Sequence, residues 1–160
     1  MRVALAIFFI TAGTAAGLYR SAELKKREAL LSEIIRLLEK MAVQIRYRAL
    51  PLGELFAEVN AGRFIEKVNR YNGSGVNWRG AWNEAVCDFS ELTAEDREIL
   101  LAVGNSLGQS DAEGQISMLE QERQLLCAHL KEAAESSAKK GAMYRSVGLL
   151  AGLGLAIIVI

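Results

Sequence analysis

Residues 21–48 read SAELKKREALLSEIIRLLEKMAVQIRYR. Within them the apolar side chains fall at Leu24, Leu31, Ile34, Ile35, Leu38, Met41, Ala42 and Ile45. Steps of three and four residues line these positions along one face of an α-helix. Glu23, Arg27, Glu28, Glu33, Arg36 and Lys40 take the other side, where charges of opposite sign form a solvated face. A long amphipathic helix draws most of its stability from the elements that cover its apolar stripe. No segment of the chain shows strand alternation that outweighs its helical reading, so the covering elements are helices too. The fold class is all-α, a helical bundle.

The sequence on either side of this domain changes character. Residues 3–19, VALAIFFITAGTAAGLY, and residues 146–160, SVGLLAGLGLAIIVI, carry no charge. As helices rising about 1.5 Å per residue they are roughly 25 and 22 Å long, against a hydrocarbon core of about 30 Å. Arg20 and Arg145 can snorkel to the interface, and Tyr19 and Tyr144 sit where amphipathic rings prefer to lie. The reading is an N-terminal membrane helix at 1–20, a helical-bundle domain at 21–145 and a C-terminal membrane helix at 146–160. No turn signal separates either end from the neighbouring domain helix, so the first and last domain helices are long and continue into the membrane helices.

Arg20, Lys25, Lys26 and Arg27 follow the first apolar run, and Lys139, Lys140 and Arg145 precede the second. The positive-inside bias at both ends places the domain in the cytoplasm and the chain ends outside. Gly13 with Gly17, and Gly148 with Gly152, each make a GxxxG stripe that lets helix backbones approach closely, within the chain or between chains. A competing reading takes the first run, with its small residues Ala12 to Gly17, as a cleaved secretory signal of an exported helical protein.

About six helices make up the domain. The only proline, Pro51, ends the first near Ala49. Leu52, Leu55, Phe56 and Val59 suggest a short second helix, and Phe64, Ile65 and Val68 another. After the turn at Asn72 to Gly75, Trp78, Trp82, Ala85, Val86 and Phe89 recur at helical spacing. Thr93 caps the next helix, with Glu95 and Asp96 in its first turn. Gly108 stops it, and Ser110-Asp111-Ala112-Glu113 fits a capping box for the last helix.

Chemistry is sparse. With 19 basic and 19 acidic residues the formal charge is zero, which does not suit a phosphate backbone, so no nucleic acid is expected. Cys87 and Cys127 lack CxxC spacing and a histidine companion, and read as small buried residues, with a single bridge between them left open. His129, the only histidine, has no carboxylate or cysteine at triad or ligand spacing. No phosphate-binding glycine loop occurs. Neither an enzyme nor a cofactor or metal is expected.

Several segments resemble one family in order along the chain: Leu50-Pro51-Leu52, Trp78 with Ala81-Trp82, Leu107-Gly108-Gln109-Ser110-Asp111 with Gln115, and Val147 to Leu153. They are similar to stage III sporulation protein AB of spore-forming bacteria, apart from Leu50, where that family would place a small polar residue. The resemblance implies a cytoplasmic domain like the platform domain of type II secretion and type IV pilus systems. It implies a non-catalytic scaffold in the channel that joins mother cell to forespore, located in the mother-cell membrane. A secretion-type ATPase and other membrane subunits would be its partners. For such a platform the polar turn Gln109, Ser110, Asp111 and Gln115 is the candidate partner contact, unless Ser110 or Asp111 only caps the last helix. A sensor or adaptor that binds a peptide or small ligand beside Trp78 and Trp82 is the alternative.

Overall fold

The structure, a computed structural model, describes residues 2–48, 54, 56 and 62–159. Among these residues every regular element is a helix. The helices are α1 (Arg2–Arg48), α2 (Gly62–Gly73), α3 (Trp78–Asp88), α4 (Ala94–Ser106) and α5 (Ala112–Val159). Five are described where about six are expected. The helix read around Leu52 to Val59 falls, with Pro51, outside the described residues, save Glu54 and Phe56, which are both helical.

Contacts along the chain divide it into two units, Met1–Glu28 with Lys131–Ile160, and Ala29–Leu130. In the first unit α1 and α5 stay paired past the apolar runs into charged sequence, where Ser137 Oγ donates to Glu28 Oε2 at 2.7 Å.

In the unit Ala29–Leu130, α1 buries Leu30, Leu31, Ile34, Leu37, Leu38 and Met41. Leu30 and Leu37 widen the predicted stripe, because α1 is covered over more than one face. Phe64, Ile65 and Val68 of α2, Trp82 and Val86 of α3, and Leu100 and Val103 of α4 complete the core. Each such side chain contributes about 1.5–3 kcal/mol by leaving water. α2 packs on α3, and α3 on α4.

Helix starts are closed by side chains. The Asn77 carboxamide accepts from the Gly80 N–H at 2.8 Å, and Thr93 and Asp96 form the reciprocal capping box of α4. Asp111, one residue later than the box read at Ser110, accepts from the Gly114 N–H at 3.0 Å and caps α5. With Asp111 as cap the third helical residue is Gly114, which has no side chain to return the bond, so the Ser110 to Glu113 box does not form. The start of α2 is closed from outside: Glu33 of α1 accepts the Phe64 N–H at 2.6 Å. Gly62, at φ +91°, allows this approach, since a Cβ there would collide with the Glu33 carboxyl. Glu33 is therefore not part of a solvated face.

Both cysteines also depart from expectation. Cys87 and Cys127 are free and exposed, on the outward faces of α3 and α5. Small size permits burial but does not compel it when larger apolar neighbours such as Val86 and Leu126 fill the inward positions.

Candidate functional site

The unit formed by the two apolar ends is a pair of antiparallel helices. A Cβ on Gly13 would lie 2.6 Å from the Gly148 carbonyl oxygen, and one on Gly148 would lie 2.6 Å from the Gly13 oxygen. Gly17 abuts the Tyr144 carbonyl, and Gly13 also meets the Gly152 backbone. Gly13, Gly17, Gly148 and Gly152 thus face one another across a single seam within the chain. Only glycine lets two backbones come this close. Ser21 faces Gly141 further along the seam.

The seam sets the register, with Gly17 beside Tyr144 and Ser21 beside Gly141. The apolar stretches consequently lie side by side, and Tyr19 with Arg20 comes level with Tyr144 and Arg145. Away from the seam the large side chains point outward: Phe8 is 63% and Leu150 65% exposed, and Leu5, Ile7, Val147 and Ile157 are exposed as well. The expectation of spanning helices at 1–20 and 146–160 meets a limit here. Among the described residues no helix is long and apolar enough to cross a membrane. Each run falls short of the roughly 20 apolar residues that spanning takes, and small residues dilute both, glycine and alanine in each and threonine in the first alone.

The polar turn before α5 is a closed device. Gly108, at φ +77°, donates its N–H to Gln115 Oε1 at 3.1 Å, while Gln115 Nε2 donates to the Ser110 carbonyl at 2.9 Å. Gln115 therefore brackets the turn, and Asp111 caps the helix. Of the four candidate contact residues, Gln109 and Ser110 keep exposed side chains outside the Gln115 bracket and the Asp111 cap.

One constellation escaped the sequence reading. His129 Nδ1 lies 2.7 Å from Asp96 Oδ1, across 33 residues of sequence, and the Asp96 side chain is fully buried. The other oxygen, Oδ2, accepts the Thr93 N–H at 3.0 Å. An ionised Asp96 only accepts, so in that state the bond is donated by an Nδ1–H of the ring. The capping box of α4 thereby doubles as an anchor for α5. Spacing arguments that look for partners nearby in sequence miss a pair made by packing. Among the described residues no group of three or more metal-binding side chains occurs.

Exposed charges act locally. Lys67 and Tyr71 of α2 both donate to Asp88 of α3. The Lys67 ammonium, followed by the Tyr71 hydroxyl, holds the Asp88 carboxyl below its ordinary range, and the same bond to Asp88 raises the Tyr71 hydroxyl. Burial raises the Glu122 carboxyl on α5.

The two tryptophans differ. Trp82 is buried, donates its Nε1–H to the Leu100 carbonyl at 2.7 Å, and meets Phe64 edge to face at 4.8 Å. Trp78 is half-buried and stacks on Phe56, with ring centroids 4.8 Å apart. Beside them an open hollow of about 320 Å³ is lined by Phe56, Trp78, Arg79, Trp82 and Leu107.

No curated protein and no solved structure matches the chain. One family model extends over residues 2–160, taking in the glycine seam, the aromatic core around Trp82 and the Gly108–Gln115 bracket. The chain accordingly belongs to the family of stage III sporulation protein AB, and its role lies in sporulation.

Proposed function

We propose that this chain is a non-catalytic platform subunit of a secretion-like channel complex between mother cell and forespore. Its apolar hairpin sits in the mother-cell membrane, its helical unit lies in the cytoplasm, and it couples a secretion-type ATPase to the other membrane subunits. The observation that carries this reading is the outward apolar surface of the paired ends. In water, side chains such as Phe8, Val147 and Leu150 would be driven together with some other apolar surface. In lipid they rest against acyl chains, and the glycine seam supplies the packing that holds two helices together there. A hairpin of about 22 Å is accommodated by local thinning of the bilayer and by snorkelling of Arg20 and Arg145. A helical unit with closed caps and an aromatic core suits a body that passes on force without reacting.

The exposed Cys87 and Cys127 supply the test of placement. A membrane-impermeant maleimide is expected to label neither in intact sporulating cells and both after permeabilisation. Labelling in intact cells overturns the orientation. The polar turn is tested separately with Gln109→Lys, which leaves the Gln115 bracket and the Asp111 cap in place. Recovery of the ATPase with the full chain is expected to fall several-fold, and unchanged recovery removes the turn from the interface.

A further inference from the structure

The zero net charge of the chain conceals a segregation. Residues 20–28 and 137–145 hold seven basic and two acidic side chains, whereas residues 29–136 hold 11 basic and 17 acidic. The two basic stretches are far apart in sequence, and the seam brings them together. Gly17 against Tyr144, Ser21 against Gly141, and Glu28 bonded to Ser137 place them alongside one another, directly below the apolar surface. Arg20, Lys25, Lys139, Lys140 and Arg145 are all exposed. At about 100° per residue, Arg20 and Lys25 leave α1 on opposite flanks of the seam, and Lys139 and Lys140 leave α5 away from it. The positive charge therefore surrounds the hairpin as a collar. Both acidic residues within it are engaged, Glu23 by Lys26 and Glu28 by the Ser137 hydroxyl.

We infer that this collar binds the headgroups of anionic phospholipids, so that the protein selects negatively charged bilayer and is seated at a fixed depth in it. The inference rests on the membrane reading above. Phosphodiester oxygens accept strong bonds from guanidinium and ammonium groups, and basic side chains next to a membrane helix are held by the negative surface potential. An acidic protein would satisfy the cations equally well. What favours lipid is continuity, since the collar begins where the exposed apolar surface ends, level with Tyr19 and Tyr144, the arrangement a headgroup layer above an acyl core requires.

The test is cell-free synthesis of the full chain with vesicles of phosphatidylcholine alone or of phosphatidylcholine with phosphatidylglycerol, followed by flotation. Flotation is expected with both, with recovery at limiting lipid on the order of tenfold higher where phosphatidylglycerol is present. Molar salt is expected to erase the increment by screening. The triple variant Lys25→Gln, Lys139→Gln, Lys140→Gln should keep the phosphatidylcholine level and lose the increment. Equal recovery from both vesicles, or an increment that survives the triple substitution, overturns the collar and leaves the membrane reading standing. Failure to float with either vesicle overturns the membrane reading itself, and the collar with it.

Discussion

Replacing Trp82 with alanine is expected to lower the unfolding free energy by about 3–5 kcal/mol, the cost of deleting a fully buried aromatic ring. Trp82 is 1% exposed, is in contact with Phe56 and Phe64, and donates to the Leu100 carbonyl. Its ring lies against the backbone of α4 at Gly104, where an added Cβ would collide with Trp82 Cδ1. Gly104→Ala is accordingly expected to cost about 1–3 kcal/mol by overpacking. The two substitutions share one contact, so their effects do not add. Alanine at position 104 should cost markedly less once Trp82 has become alanine, because the cavity accepts the new methyl. Urea unfolding of the four purified chains in this cycle measures the coupling. Strictly additive losses would show that Gly104 is not there to admit the ring.

Asp96→Ala is expected to cost about 3 kcal/mol, combining the lost helix cap with the loss of one partner from a buried polar pair. The carboxylate serves Thr93 with one oxygen and His129 with the other. His129→Ala leaves the cap but deprives a fully buried carboxylate of a bond, at about 1–3 kcal/mol. The double variant should be less destabilised than the sum of the singles, since each single change already breaks the shared bond. Thermal unfolding followed by circular dichroism gives the values. If His129→Ala is silent, α5 does not depend on this anchor. The pair gives His129 a structural role in holding α5 against the start of α4.

The helices were legible because their signals are local. The apolar period of residues 24–45, the cap at Thr93 and the stop at Gly108 each act within a few residues, and the structure carries all three. The Ser110 box was misplaced by one residue because Ser110 and Asp111 are both good caps, and local sequence does not choose between them. The cap at Asn77 is equally local, since asparagine before an apolar helical run is a recognisable signal. The exposure of Cys87 and Cys127 is not legible in the sequence, because residue type predicts average burial and not which side of a helix a residue takes.

The sequence by itself determined that the chain is helical, that basic side chains in excess flank two apolar ends, and that it shares its pattern with a sporulation family. Only the tertiary structure decided what those helices do to one another. Glu33 closing α2, His129 reaching Asp96, Gly104 yielding to Trp82 and the four glycines meeting in one seam all join residues distant in sequence. The physical reason is range: period and capping are settled within one or two turns of a helix, whereas a contact across the fold exists only once packing has set the register between helices.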